Sequence, residues 1–200
     1  ILLVLLIYGD KMHNKDLENV LINIAIKELL SNNWHNIDIN FLSKQSKKPL
    51  EEILSVCSSK KDLLDLWSQN INIEMVKDIT IKELQEVTKR ERILELMLCR
   101  FDVLKSKNKE IRSLIKLSRS SFLESSYSIN RIMKSMELIL FYSGISDKGS
   151  LGLMKKKALS LIWVLTLREW NKGEIKDDSG LMAKIDKRLS FAEKIQSIIL

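Results

Sequence analysis

The sequence predicts an all-α protein, with a small three-helix head at its amino end and a larger helical bundle after it. Six glycines and one proline among 200 residues leave little material for β-turns and hairpins. Apolar residues recur at helical spacing along most of the chain. Several of these runs follow a capping box, in which a Ser or Thr precedes an acid by three residues. The pairs are Ser59/Asp62, Thr80/Glu83, Thr88/Glu91 and Ser121/Glu124.

The head is expected to span residues 12–70. Its first helix should cover residues 15–31, because a stripe of apolar side chains recurs there at helical spacing. The stripe consists of Leu17, Val20, Leu21, Ile24 and Ala25. Two short helices are expected at Ile39–Ser46 and at residues 49–56, where a proline suits the first turn of the second one. A longer helix begins at Lys60.

The bundle is expected to span residues 71–200. One of its helices opens at Thr88, where an apolar stripe starts. Others are expected near residues 109–117, 121–143, 150–170 and 181–199. The stretch LSLIWVLTL, from Leu159 to Leu167, is apolar almost all round. A helix of that kind belongs in a bundle core or at a subunit interface.

The chain opens with eight apolar residues, ILLVLLIY, which are too few to span a bilayer. They also lack the basic lead-in and the cleavage site of a targeting segment. Met12 stands just before the first predicted helix. We therefore interpret residues 1–11 as a non-native or disordered leader and expect natural translation to begin at Met12.

Residue types that carry catalysis or bind metals are scattered along the chain. Neither the two cysteines, Cys57 and Cys99, nor the two histidines, His13 and His35, have metal-ligand or redox spacing. No Gly-rich phosphate loop and no Ser/His/Asp pattern is present in the sequence. We expect a protein of the reducing cytoplasm that is not an enzyme and uses no metal or cofactor.

The most informative stretch of the chain runs from Trp34 to Leu64. Two short helices joined by a tight turn form a helix-turn-helix, whose second helix enters the major groove of DNA. We expect Leu42 to lock the first of these helices. The second should be seated by Leu50, Ile53 and Leu54. The residues expected to contact DNA are polar and lie at the turn, on the second short helix and at the start of the longer one: Lys44, Lys47, Lys48, Ser55 and Lys60.

The net charge of +7 is unevenly distributed along the chain. Residues 1–70 hold eight Lys/Arg and nine Asp/Glu, a net charge of −1, so residues 71–200 carry +8. A neutral head lowers the phosphate-driven part of DNA affinity. Glu51 and Glu52 add negative charge to the second short helix. A basic run further on is either a solvated face or a contact for anionic lipid headgroups: Lys105, Lys107, Lys109, Arg112, Lys116 and Arg119.

The helix-turn-helix stretch resembles the DNA-binding head of the TetR family of transcriptional regulators. An ungapped alignment places Leu42-Ser43 on the family's Ile-Ala pair and residues 46–49 on its Ala-Gly-Val-Ser turn. Leu54 and Cys57 take the places of its Tyr and Phe, and Ser59-Lys60 and Leu63-Leu64 match directly. Lys47 replaces the turn glycine, so a left-handed backbone there would carry an energetic penalty. The resemblance implies a TetR-like fold and DNA binding by the head.

Two segments of the body extend the resemblance. Residues 90–101, RERILELMLCRF, with Asp102-Val103-Leu104 look like the start of the ligand-binding domain in a proteobacterial subgroup of TetR-like proteins. The tail, from Leu167-Arg168-Glu169-Trp170 to residues 185–189, also resembles the ubiquinone-biosynthesis accessory proteins. Those proteins share the TetR fold but bind lipid rather than DNA.

The resemblance implies two alternative functions. A regulator would bind DNA with its head and release it when a small apolar ligand enters the body. A lipid or isoprenoid binder of quinone synthesis would have lost DNA binding and could contact a membrane peripherally. Six body residues are candidates for an apolar ligand pocket, although such residues more often pack as core: Met97, Phe101, Met133, Met136, Phe141 and Trp163. The family also implies a homodimer, expected through the segments from Leu159 to Leu167 and from Leu181 to Ile199.

Overall fold

A computed structural model describes residues 15–80 and 86–194 of the chain. These residues form nine α-helices, a 3₁₀ turn at Trp34–Asn36 and no strand, which confirms the all-α prediction. The expected leader, residues 1–11, lies outside the described residues, as does Glu83, the expected capping partner of Thr80. The helices are α1 (Lys15–Leu30), α2 (Ile39–Ser46), α3 (Leu50–Val56), α4 (Lys60–Val76), α5 (Lys89–Lys105), α6 (Asn108–Ser118), α7 (Phe122–Tyr142), α8 (Gly149–Asn171) and α9 (Asp178–Lys194).

The chain divides into two compact units, Ile1–Trp67 and Ser68–Leu200. We call the described part of the first unit the head and the described part of the second the body. The division falls inside α4, slightly before the boundary expected after residue 70.

The core of the head is formed by one narrow stripe from each helix. α1 packs on α2, and α2 packs on α3. The most deeply buried side chains are Leu21, Leu42, Ile53, Leu63 and Leu64. On α1 the expected position of Val20 in the buried stripe is wrong. The buried row advances by four residues from Leu17 to Leu29, and Val20 lies at its edge, where it is 44% exposed. Ile22, which was not expected to be in the stripe, is buried beside that row.

The body is organised around α5, which packs on α6, α7 and α9, while α8 packs on α7 and α9. The start of α5 has the predicted capping box. The Thr88 N–H donates to the Glu91 carboxylate at 2.8 Å, and the Glu91 N–H donates to the Thr88 hydroxyl at 3.3 Å. At the centre of the body, the rings of Phe101 and Trp163 have centroids 4.5 Å apart. None of the helices in residues 15–80 and 86–194 combines the length and the apolarity needed to cross a membrane.

Ionic contacts join α8 to α9. Arg188 donates to the Thr166 hydroxyl at 2.7 Å and to the Glu169 carboxylate at 2.5 Å. Lys184 lies 3.3 Å from the other carboxylate oxygen of Glu169. Burial opposes ionisation of Glu169, but the hydrogen bonds from Arg188 and Lys184 outweigh it and hold its pKa below the ordinary value. The ionised carboxylate of Glu169 therefore stabilises the packing of α8 on α9.

We predict that Glu169→Gln destabilises the protein at neutral pH and has little effect in acid. A carboxyl whose pKa is lowered by folding contributes stability above its unfolded pKa and loses it as the pH falls. At pH 7 we expect a loss of about 1 kcal/mol or less, which corresponds to ~2–4 °C in Tm. Thermal unfolding at pH 7 and pH 3 measures this. Glu174→Gln is the matched control, because Glu174 contacts the exposed Lys172 of the α8 terminus at 3.2 Å. An equal loss in Glu169→Gln at both pH values would contradict the assignment.

Candidate nucleic-acid interface

The first short helix of the head, α2, is fixed at both ends by side-chain hydrogen bonds. The Asp38 carboxylate caps its start by accepting from the Phe41 N–H at 2.7 Å. Asp38 was not among the predicted residues, although an aspartate directly before an apolar run is a recognised start signal. At the other end, the Ser46 hydroxyl donates to the Leu42 carbonyl at 2.7 Å. The α2 helix is therefore a defined two-turn element rather than a frayed one.

The turn after α2 depends on a left-handed residue. Lys47 has φ 55° and ψ 35°, the conformation that glycine adopts most readily. The Lys48 N–H donates to the Ser43 carbonyl at 3.2 Å, and the Ser43 hydroxyl donates to the Lys48 carbonyl at 2.6 Å. These two bonds close the turn and hold Lys47 in the left-handed conformation. Lys47 therefore carries the conformational energy cost that was expected from its alignment with the family's turn glycine. Pro49 has extended backbone and stands just before α3, which begins at Leu50, one residue later than expected.

The second short helix, α3, is turned differently from the prediction. Ile53 is fully buried as expected, but Leu50 and Leu54 are 41% and 52% exposed. The expectation that these two leucines seat the helix is therefore wrong. A two-turn helix can bury only one narrow face, and that face is centred on Ile53 and Val56.

The outward face of α3 carries Leu50, Glu51, Leu54 and Ser55. The Ser55 hydroxyl donates to the Glu52 carbonyl at 2.7 Å, so its proton is engaged within the helix. Two leucines can contact thymine methyl groups, and a carboxylate can accept from cytosine N4. This helix face therefore offers apolar and acidic contacts to bases, and the lysines of the head lie outside it.

Three exposed lysines surround the turn: Lys44 in the last turn of α2, and Lys47 and Lys48 in the turn itself. The Lys48 ammonium lies 3.1 Å from the Glu52 carboxylate, which partly neutralises it. Lys44 and Lys47 are therefore the more available cations of the cluster. We call these three residues the turn lysines.

Lys60 has a different environment from the turn lysines. Its ammonium donates to the backbone carbonyls of Trp34 and His35 at 2.9 and 3.2 Å, and it lies 5.6 Å from the centre of the Trp34 ring. It thus binds the 3₁₀ turn to the start of α4. These contacts give Lys60 a structural role within the head and argue against the predicted DNA contact.

The six candidate pocket residues lie in different environments. Four are buried in the body core: Met97, Phe101, Met136 and Trp163. Met133 is half-buried. Phe141 is 49% exposed and contacts Tyr142 edge-on, with the ring centroids 5.7 Å apart. An enclosed pocket that includes Phe141 does not agree with this position, and for the other five residues the pocket stays a prediction.

Two open depressions in the body are lined by other residues. One, of about 910 Å³, lies along α5 and the end of α4, and its rim has five carboxylates: Glu74, Asp78, Glu91, Glu95 and Asp102. The other, of about 470 Å³, is a groove between α8 and α9, and its apolar floor includes Leu161, Ile162, Leu165 and Phe191. Within residues 15–80 and 86–194, no group of His, Cys, Asp and Glu is arranged to hold a metal ion.

Comparison with known proteins identifies the fold. The sequence matches no protein-family model, and no curated protein matches it. The structure is similar to the crystal structure of the TetR transcriptional regulator from Nitrosomonas europaea ATCC 19718, over 88% of this chain and 98% of that one. The identity is 15% and the TM-score is 0.61. The chain therefore has a TetR-like fold, which confirms the fold that the resemblance implied.

We predict that Lys47→Gly stabilises the head. Glycine adopts the left-handed conformation without the Cβ clash that lysine suffers, so the variant should gain up to about 1 kcal/mol, or ~2–4 °C in Tm. Lys44→Gly is the control, since Lys44 lies within α2, where glycine costs about 1 kcal/mol. Urea unfolding of both variants measures the difference. If Lys47→Gly is destabilised as much as Lys44→Gly, the left-handed assignment is incorrect.

Proposed function

We propose that this chain is a DNA-binding transcriptional regulator of the cytoplasm. The observation that carries the proposal is the geometry of α2 and α3, two short helices separated by a closed left-handed turn and bordered by three exposed lysines. A helix-turn-helix presents its second helix to the major groove, and lysines at the turn then lie near the phosphates. The proposal gives the chain a binding role and no catalytic one.

In the proposed complex, phosphate and base contacts come from different parts of the head. Lys44 and Lys47 neutralise phosphates and set the register, which supplies most of the affinity. Leu50, Leu54 and Glu51 on the outward face of α3 contact base edges and supply the sequence preference. With a net head charge of −1 and few phosphate contacts, affinity should be modest, and its dependence on salt should be moderate.

A homodimer would place two heads on one operator. The α8–α9 groove supports this part of the proposal, because its apolar side chains are exposed in the single chain: Leu161 is 59% and Phe191 is 65% exposed. Apolar surface of this kind on adjacent helices is typical of subunit interfaces. The part of the expected interface beyond Lys194 lies outside the described residues.

Regulation would follow from a shift between two conformations of the dimer. A ligand that binds the body more tightly in one conformation increases the population of that conformation, by a factor of at most the ratio of the two affinities. If the two heads then no longer match successive major grooves, the dimer leaves its operator.

One observation favours the second candidate, a lipid-binding protein with a TetR-like fold that does not bind DNA. The outward face of α3 is apolar and acidic, and Glu52 lies within 3.1 Å of one of the three turn lysines. A head selected for phosphate contact would more commonly carry cations there.

A gel-shift of the purified protein against the region upstream of its own gene, at 50 and 200 mM salt, separates the regulator from the lipid-binding protein. Sequence-selective, salt-sensitive binding supports the regulator; absence of binding together with a co-purified apolar lipid supports the second candidate.

We predict that the turn lysines set the salt dependence of DNA binding. Each phosphate contact contributes about 0.9 to the slope of log K against log salt, and a substitution removes one contact from each head of the dimer, so Lys44→Gln and Lys47→Gln should each reduce the slope by about 2. Glu52→Gln should increase affinity, because it releases Lys48 from its ion pair. Fluorescence anisotropy with a labelled duplex over a salt series measures these slopes.

Lys109→Gln is the matched control for the salt series, since Lys109 is an exposed lysine of α6 in the body. Its slope should equal that of the wild type. A reduced slope in Lys109→Gln, with unchanged slopes in the two turn variants, would assign DNA binding to the body instead of the head.

We predict that Leu161→Glu and Phe191→Glu convert the dimer to a monomer. A carboxylate introduced into an apolar interface would be buried without a partner, which is strongly unfavourable. Light scattering at micromolar concentration measures the mass. Leu123→Glu is the control, because Leu123 is 62% exposed but lies at the start of α7. A wild-type chain that is already monomeric, or a dimer that survives both interface variants, would contradict the prediction.

A further inference from the structure

Arg100 carries a positive charge into the core of the body. The residue is 5% exposed and lies on the buried side of α5. Its Nη1 donates to the side-chain oxygen of Asn72, and its buried Nε has no hydrogen-bond partner. Among the residues that the structure describes, none supplies a carboxylate to this guanidinium.

The other contacts of Arg100 are apolar or neutral. Its guanidinium carbon lies 5.2 Å from the centre of the Trp163 ring, and that ring stacks at a tilt on Phe101. Ser160 lies one turn before Trp163 on α8, and its buried hydroxyl also lacks a partner. Arg100 and the facing turn of α8 therefore contribute a cation, two unsatisfied polar groups and an aromatic wall to the core.

Two other arginines of the body, Arg90 and Arg188, have the carboxylate partner that Arg100 lacks. Arg90 lies 2.5 Å from the Asp186 carboxylate, and Arg188 lies 2.5 Å from that of Glu169. Both side chains are more exposed than Arg100, so they need a counter-charge less. These two more exposed arginines thus have carboxylate partners, whereas the buried Arg100 has none.

An arginine cannot escape this cost by losing its proton. Burial lowers the pKa of Arg100 to about 10, so the side chain is still charged at neutral pH. A buried charge without a counter-ion is strongly destabilising, and an oxyanion that accepts two hydrogen bonds from the guanidinium would relieve it.

We propose that Arg100 is the anchor for the carboxylate of an amphipathic ligand whose apolar chain lies against Met97, Phe101 and Trp163. The inference rests on the proposed function, since it names the class of ligand that would act on the regulator. A planar carboxylate fits the two-donor edge of a guanidinium, and these three side chains offer an apolar wall. Arg100 lines neither of the two depressions described above. Entry of the ligand therefore requires neighbouring side chains to move apart, and this movement couples binding to conformation.

Calorimetric titration of the full chain with sodium decanoate and with 1-decanol tests the anchor. The two probes have the same apolar chain, and only decanoate carries the negative charge. We expect wild-type protein to bind decanoate at least about ten-fold more tightly, the effect of one charge-assisted hydrogen-bonded pair. Arg100→Met should remove this preference, and Arg112→Met, which removes an exposed arginine of α6, should retain it.

Three results would overturn the proposal: no binding of decanoate by the wild type, equal binding of the two probes, or a preference for decanoate that survives in Arg100→Met. If Arg100→Met fails to fold, Arg100→Lys serves in its place. Lysine retains the charge but loses the two-donor edge, so the preference should fall without vanishing. An unchanged preference in Arg100→Lys would equally overturn the anchor.

Thermal unfolding without ligand gives a second readout. Replacement of Arg100 and Asn72 together by Met and Leu removes the buried charge and its hydrogen-bond partner, so neither is left unpaired and Tm should stay constant or rise. A fall of more than about 5 °C would show that the charge is already compensated in the free protein, against the proposal.

The titration and the thermal unfolding are both carried out without DNA, so they test the ligand site separately from the regulator. A preference for decanoate in a protein that does not bind DNA would support the ligand site and contradict the proposed regulator. DNA binding without a preference for decanoate would contradict the ligand site alone.

Discussion

The closed turn between α2 and α3 is the constraint on which the proposed function depends. If residues 47–49 had continued in helical conformation, α2 and α3 would form one rod, and no second helix would be presented to a groove. Two hydrogen bonds between Ser43 and Lys48 hold the left-handed residue in place. Burial of Leu42 and Ile53 on either side of the turn then fixes the two helices against the core of the head. The strain at one lysine is thus balanced by local hydrogen bonds and by packing.

Charge is distributed in opposite ways in the two units. Residues 1–70 have a net charge of −1, so the cations near the turn act against a neutral background. Residues 71–200 have a net charge of +8, and one of those positive charges, Arg100, is buried without a described carboxylate partner. A regulator built in this way would bind DNA through a few localised contacts, and its body would favour an anionic ligand over a cationic one.

Much of the fold could be predicted because local signals agree with one another. The capping box of Thr88 and Glu91 and the apolar periodicity after it locate the start of α5 correctly. Orientation was harder to predict for short helices. Two turns of α3 give too few positions to decide whether Leu50 and Leu54 or Ile53 and Val56 face inward, and the packing of the head decides it.

Contacts between distant parts of the chain could not be predicted from local patterns. The role of Lys60 depends on backbone carbonyls 25 and 26 residues earlier in the chain. Arg100 could have been noticed as a lone charge within the apolar stripe of α5, but its missing counter-charge is visible only in three dimensions.

The most direct test of the account is a map of the DNA-contacting residues by NMR. Backbone amide shifts of the isotopically labelled chain would be recorded before and after addition of a duplex from its own upstream region. The shifted resonances should cluster between Lys44 and Ser55, at the turn and along α3. Shifts confined to the basic face of α6, or no shifts at low salt, would contradict the assignment of DNA binding to this head.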